Sequence, residues 1–413
     1  MNPRSHTTVA TQTVALVVCF LLLPGAWART LKVLHTFGAS GDGTIPYGPP
    51  VQDNEGNLYG VTYDGGTGQC SDYGCGTVFE LKRQANGTWK ETILHSFTAG
   101  SDGSAPEGGL IFDSAGNIYG TMRGDMSFAV GGVFELAPNS GGWSYRVVYG
   151  DNAGPGLVSD KFGNLYGKIG PGNYFGIGAI GELSPSSHGW IYTDLANFNP
   201  TVGYAPPAPP IWDGKGKMFG AAEDGGISQP ACWTSSGCGV IFKMMPSGDG
   251  TWTYHILHRF ASLSTDGQTP DGGLVMDASG NIYGVTGLGG VHNQGTVFKF
   301  AFRGGQWKQT VLYSFPNCAE GCFPDGTLAS DKAGNLYGVG SGGLADCGGY
   351  TCGVVFKLTP QARGTWKYSV VHKFTGNDGA FPWGVMVDGK GNLFGTTENG
   401  GTYNAGVAFE ITP

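Results

Sequence analysis

The sequence predicts an all-β fold: a seven-bladed β-propeller of four-stranded blades, with the N-terminal strand completing the last blade. A repeated string, an unequal count of strands and an unusual composition lead there. The string Asp-x-x-Gly-Asn-Leu-Tyr-Gly begins at Asp53 and recurs in recognisable form at Asp113, Asp160, Asp213, Asp277, Asp331 and Asp388. The copy at Asp213 is reduced to DGKGKMFG. Spacings of 47 to 64 residues are too long for one hairpin and suit four short strands with their loops.

Each repeat divides into four strand-like runs. The second shows them plainly: Gly109-Leu110-Ile111-Phe112, Asn117 to Gly120, Gly132 to Leu136, and Trp143 to Tyr149. The DxxGN segment supplies the first turn, because Asp can bond the backbone ahead of it and Gly accepts positive φ. The third strand occurs seven times, as Val78-Phe79, Val133-Phe134, Ile180-Gly181, Ile241-Phe242, Val297-Phe298, Val355-Phe356 and Ala408-Phe409. The fourth follows a Trp only six times, and its missing copy stands at the other end of the chain. There Leu34-His35-Thr36-Phe37 matches Leu94-His95-Ser96-Phe97. Pairing the N-terminal strand with the last repeat removes two open edges. The 76 glycines would suggest disorder, but 12% aromatic and 40% hydrophobic residues fit short strands joined by tight turns.

Residues 1–28 read as an export signal, and 29–413 as the propeller. A weakly basic start with Arg4 and His6, an apolar run from Val14 to Leu23 and the small-residue stretch Ala26-Trp27-Ala28 fit a cleaved leader. The run is too short to span a bilayer comfortably. A secreted or periplasmic protein without a membrane span is expected, and a monomer. Loss of the leader takes the net charge from −8 to −9. With 13% charged residues and no Lys/Arg cluster, a nucleic acid partner is not expected. Outside the leader the cysteines form four local pairs, Cys70/Cys75, Cys232/Cys238, Cys318/Cys322 and Cys347/Cys352. These read as loop disulfides in an oxidising compartment, since matched CxxC knuckles for zinc are absent from the sequence. No metal and no cofactor are expected.

The core Gly76-Thr77-Val78-Phe79-Glu80-Leu81, repeated as Gly295-Thr296-Val297-Phe298-Lys299-Phe300, together with the preceding Asp-x-x-Gly-Asn-Leu-Tyr-Gly, resembles the GloVer tandem repeat of exported, choice-of-anchor bacterial proteins. The resemblance runs from Leu31 to Pro413. It implies an exported protein and carries no established activity.

In a propeller, the loops joining strands two and three share a face with the crossings from strand four to the next blade. On that face the loops are long and dissimilar, and all four cysteine pairs fall there. Individuality among repeated units marks a working surface. Its candidate ligand-binding residues are Tyr63, Tyr73, Phe128, Tyr174, Trp233, Tyr350 and Tyr403, aromatics that could stack on a sugar or anchor a protein. A second set is a partial rim of carboxylates expected from the Asp-Gly-x-x-Pro crossings: Asp42, Asp102, Asp266 and Asp378, with Glu320 as a variant. Recurrence also suits a turn that each blade needs. His35, His95, His258 and His372 share one strand-four position, which reads as structural.

Between the glycines and the turn Asp, the inner strands read PPVQ, GLIF, GLVS, PPIW, GLVM, TLAS and GVMV, without an ionisable residue. Chemistry in the channel is therefore not expected, and a rim site would borrow the crossing aspartates, Arg123, Asp125 or Glu223. The sequence supports an exported binding or scaffold module that uses the variable face for a polysaccharide or envelope protein. The alternative is a propeller lyase or hydrolase acting on a glycan at the rim; the fold does not choose between them.

Overall fold

The computed structural model describes residues 30–70, 74–124, 131–170, 179–226, 232, 237–261, 266–343, 345–348 and 351–412. They form seven four-stranded antiparallel sheets. Blade 1 is Gly43–Gln52, Leu58–Gly65, Thr77–Arg83 and Trp89–Ser96. Blades 2 to 6 occupy 106–149, 158–197, 211–259, 275–314 and 322–373. Blade 7 takes Ala380–Val387, Leu393–Asn399 and Val407–Thr412 from the end of the chain and Thr30–Thr36 from its start.

The closing strand pairs from Thr30↔Thr412 to Thr36↔Val407, with a bulge between Val33 and His35. That bulge is the signature of a fourth strand. In each of the other six blades the register slips at the same place, at Leu94, Val148, Leu195, Leu257, Leu312 and Val371. The extra residue turns the following side chain toward the crossing. Leu34 does this in blade 7, so the N-terminal strand is equivalent to its six counterparts in register as well as in sequence.

The repeat strings have local causes. Asp53 Oδ1 accepts the N–H groups of Glu55 and Asn57 at 2.8 and 2.9 Å, and Oδ2 accepts Asn57 Nδ2 at 2.8 Å and the Tyr59 hydroxyl at 3.1 Å. At Asp213, where Lys217 and Phe219 replace Asn and Tyr, the two backbone bonds remain at 2.7 and 3.0 Å. The glycine closing each string leaves room for the buried Phe of strand three: a Cβ on Gly60 would lie 2.5 Å from the Phe79 ring, and one on Gly338 2.5 Å from Phe356. Blade 3 has Gly181 in place of Phe, and the Tyr192 ring moves in against it.

Around the axis the inner strands meet through small residues. A Cβ on Gly48 would sit 3.4 Å from the Gly108 carbonyl carbon, and one on Gly156 3.3 Å from Pro209. Gly273 faces Ala208 at 3.1 Å, Gly326 faces the Trp383 carbonyl at 2.6 Å, and Gly384 faces Pro49 at 3.3 Å, which returns the ring to blade 1. Close approach at the axis is what these glycines allow. Among the described residues no helix is long and apolar enough to cross a membrane.

Candidate functional site

The variable face is tied together by one recurring hydrogen bond. At five of the crossing prolines the preceding residue donates its N–H to the segment just ahead of the previous blade's third strand: Ile45 to Ala405 O at 3.0 Å, Ala105 to Cys75 O at 2.9 Å, Thr269 to Cys238 O at 2.8 Å, Phe323 to Gln294 O at 2.8 Å and Phe381 to Cys352 O at 2.8 Å. Ile45, Ala105, Ala205, Thr269, Phe323 and Phe381 all hold left-handed φ, between 45° and 57°, in this position. Such strain in non-glycine residues persists only where the surroundings over-determine it. Three of the acceptors are disulfide cysteines. All four bridges, Cys70–Cys75, Cys232–Cys238, Cys318–Cys322 and Cys347–Cys352, are formed as the local pairing predicts.

This scaffold surrounds a central cavity of about 800 Å³. The side chain that follows each crossing proline reaches its wall, and these differ from blade to blade: Tyr47, Glu107, Pro207, Asp271, Asp325 and Trp383. Strand two and its end add Arg123, Lys168 and Glu223. The wall therefore has three sides. Blades 7 and 1 give an aromatic one, where Trp383 and Tyr47 lie 4.1 Å apart between ring centroids and Tyr63 stands 6.2 Å behind Tyr47. Blades 2 and 3 give Glu107 with Arg123 and Lys168. Blades 4, 5 and 6 give Glu223, Asp271 and Asp325.

The expectation of a channel without ionisable groups is corrected here. The inner strand begins at or before the crossing proline, as in Pro106–Phe112 and Cys322–Ser330, and not after the glycines. Glu107 and Asp325 thus belong to inner strands, and Asp271 lies on the path between the inner segments Gly267–Gln268 and Val275–Met276. The signal was legible: one variable residue follows a constant proline.

Burial dominates the electrostatics of the wall. It pushes the Glu107 carboxyl up to about 7, against the pull of Arg123 and Lys168. Glu223 rises to about 7 through burial and through Asp224 and Asp325, with Lys168 opposing. Asp271 rises to about 8 through burial and the charges of Asp325, Glu223 and Asp224. Asp325 opens onto the cavity, yet the enclosing walls desolvate it and raise it, opposed only by the Gly326 N–H at 2.5 Å. Burial lowers Lys168, and Glu107 and Glu223 oppose that shift. Carboxyls that exchange protons near neutrality, gathered in a concave site, are the pattern of a functional centre.

The rim aspartates lie elsewhere. Asp42, Asp102, Asp266 and Asp378 each bond the strand-four histidine before them: His35 at 3.0 Å, His95 at 3.3 Å, His258 at 3.1 Å and His372 at 2.8 Å. They also accept backbone N–H groups of their own turns, such as Gly38 and Gly43 on Asp42. These pairs latch the crossings and do not line the cavity. Glu320 is exposed, and its carbonyl accepts the Tyr368 hydroxyl at 2.5 Å. Of the aromatic candidates, Tyr63 lies behind Tyr47 and is not part of the cavity wall, while Tyr403 is 56% exposed and packs over Gly38. Tyr73, Phe128, Tyr174, Trp233 and Tyr350 lie outside the described residues, as does Asp125.

At the seam between blades 7 and 1 the latch gains a third member. His35 Nε2 also lies 3.4 Å from Glu91, and among the described residues this trio alone brings three metal-ligating atoms within 4.8 Å of one another. Burial works against a charged His35, but the Asp42 hydrogen bond and the two carboxylates raise it above the ordinary value. Burial also pushes Glu91 up to about 8. At three other seams this inter-blade position is a ring stack, between His95 and Tyr145 at 3.9 Å, Tyr149 and Tyr192 at 5.1 Å, and Tyr313 and Tyr368 at 4.3 Å. The trio is thus an ion-pair form of a structural contact.

Among curated proteins no sequence matches. Solved structures share the fold. A fungal alcohol oxidase of the AA5 family in complex with copper is 12% identical with a TM-score of 0.56, over 94% of this chain and 76% of that one. An ancestral GH74 enzyme is 12% identical with a TM-score of 0.53, over 93% of this chain and 51% of that one. A gluconolactonase from Xanthomonas campestris is 16% identical with a TM-score of 0.40, over 93% and 89%. At such identities the oxidase and the GH74 enzyme show a likeness of fold alone. The model of the Gloeobacter/Verrucomicrobia repeat matches residues 7–233 and again 231–413, two passes that together span all the blades described above. The chain belongs to the Gloeobacter/Verrucomicrobia repeat family.

Proposed function

We propose that this chain is an exported binding module that takes a glycan in its central cavity, at the mouth on the variable face. One observation carries the reading: side chains from all seven blades reach a single cavity of about 800 Å³, and they make an aromatic, a mixed-charge and an acidic side. An asymmetric wall can hold one ligand in one orientation, whereas the near-identical DxxGN turns of the opposite face offer only repeated shallow contacts. Aromatic rings beside carboxylates and a guanidinium suit a sugar, whose apolar ring face stacks while its hydroxyls bond. A glycan-array screen on the mature protein tests the reading. Binding should weaken in Trp383→Ala and Glu107→Gln, and a ligand indifferent to both but lost with Asn57→Ala on the opposite face would reject it.

A second reading is that the bound glycan is also cleaved. Carboxyls at about 7 and 8 can donate and accept protons at neutral pH. Incubating each array hit with the protein and looking for shortened products separates a lyase or hydrolase from a binder.

A further inference from the structure

We propose that the acidic side of the cavity receives the ammonium group of an amino sugar, so that the ligand is a glycan with free amines. This rests on the cavity being the binding site and specifies what enters it.

The balance of charge gives the sign. Four carboxyl groups on the wall, Glu107, Glu223, Asp271 and Asp325, stand against two cations, Arg123 and Lys168. Those cations are engaged on one side: both act on Glu107, and Lys168 also acts on Glu223. Only other carboxylates act on Asp271, and Asp325 has only a backbone N–H to offset its desolvation by the cavity walls. Among the described residues no ion pair within 4.0 Å reaches Asp271 or Asp325. An anionic ligand would add to this repulsion and a neutral one would leave it. A cation relieves it.

The spacing gives the size. Three ligating atoms close enough for one bare metal ion occur, among the described residues, only at the His35 trio. Asp271, Asp325 and Glu223 come from three successive blades and suit a polyatomic cation that several carboxylates share. The site is also built rather than incidental. Glu107 is only 8% exposed, its carboxylate has no hydrogen-bond or ion-pair partner among the described residues, and it lines the same cavity. Gly287 leaves the space that the Asp271 carboxylate occupies.

The aromatic side gives the rest of the ligand. Asp325 is near enough to Tyr47 to act on its hydroxyl, so the Trp383–Tyr47 pair and the acidic arc adjoin. A pyranose stacked on the rings would place an amine substituent among carboxylates. Binding should then expel the proton that burial and the neighbouring carboxylates keep on Asp271.

The test uses three oligosaccharides of one length that differ at a single substituent: fully deacetylated chito-oligosaccharide, its N-acetylated form, and cello-oligosaccharide. Calorimetry on the mature protein at pH 7 and 0.15 M salt should show the amine form binding at least ten-fold tighter than the others. Heats in buffers of different ionisation enthalpy should reveal proton release. Asp271→Asn and Asp325→Asn should each remove most of the preference with the melt retained. Glu55→Gln, an exposed change on the opposite face, should leave it intact and so exclude diffuse attraction to an acidic protein. Equal or tighter binding of the acetylated or neutral form, lost in Trp383→Ala, would overturn the amine and keep the cavity. A preference that survives both asparagine variants would place the amine elsewhere and also overturn the proposal. If no glycan binds, the cavity reading falls with it.

Discussion

The Asp271 carboxylate occupies the space directly above Gly287, where a Cβ would collide with Oδ2. Blade 3 shows the inverse arrangement. Lys168, on strand two, lies over Gly154 on the inner segment, where a Cβ would come within 2.5 Å of its Cδ. In each case one strand supplies the charged side chain and its neighbour supplies a glycine to hold it. Neither glycine has the positive φ that would demand glycine for the backbone. Gly287→Ala should therefore displace Asp271 while sparing the fold. The expected result is a several-fold loss of ligand affinity with a melting temperature changed by only a few degrees, since 1 kcal/mol shifts a large domain by about 2–4 °C. Calorimetric titration beside a thermal melt checks it, and unchanged affinity would detach Asp271 from the site.

Stability should fall as pH rises through neutrality. The folded carboxyls of Glu107, Glu223 and Asp271 titrate at about 7, 7 and 8, and their unfolded counterparts near 4. Between those values the folded state holds more protons, so raising the pH favours unfolding. Their contribution is complete below about 4 and gone above about 8. Asp53, Asp277 and Asp331 act in the opposite sense: burial works against them, but hydrogen bonds in their turns hold them below the ordinary value. Their contribution is lost only in acid. Melts from pH 5 to 9 should show a declining midpoint, and Asp271→Asn should flatten the decline. A flat profile in the parent protein would show that the cavity carboxyls ionise freely.

Thr269→Gly should stabilise the protein. Thr269 is β-branched, holds φ at 55° and donates its N–H to Cys238 O. Glycine keeps the hydrogen bond and removes a left-handed penalty of about 1–2 kcal/mol, at an entropic cost of about 0.5–1 kcal/mol. A net gain of up to about 1 kcal/mol is expected from urea unfolding. A loss of that size would mean that the side chain's packing outweighs the backbone strain.

The fold was legible because its rules repeat. Asp53 and its six counterparts mark the turns, and Leu34-His35-Thr36-Phe37 names the missing strand by its own pattern. The disulfides were legible because each pair is local. The cavity was not, because its residues are the ones that do not repeat. Glu107, Asp271, Asp325 and Trp383 follow the crossing prolines, and reading the inner strands from the glycines onward left them out. The aspartates that do repeat attracted notice, and they serve the latch with His35, His95, His258 and His372. Periodicity finds architecture, and the site lies where periodicity fails.

Deleting Leu31 to Phe37 should collapse the whole ring instead of fraying one end. The deletion takes away the edge partner of Val407–Thr412, whose Val407, Phe409 and Ile411 are fully buried. It removes Phe37, itself fully buried, 5.0 Å from the Phe79 ring of blade 1 and bonded through its N–H to Gly406 O at 3.0 Å. Losing one such ring costs about 3–5 kcal/mol, a large part of the net stability of most domains. It also leaves Asp42 buried without the His35 hydrogen bond and Glu91 without the imidazole that faces it. Damage on both sides of the seam cannot be confined to blade 7, because blades 7 and 1 also meet at the axis through Gly384 and Pro49. The deletion variant should lose its cooperative melt, and a synthetic peptide of residues 30–37 added in trans should restore part of it. His35→Gln, which keeps the strand but weakens the latch, should melt cooperatively at a lower temperature. A deletion variant with the parent's cooperative melt would show that the ring closes without its N-terminal strand.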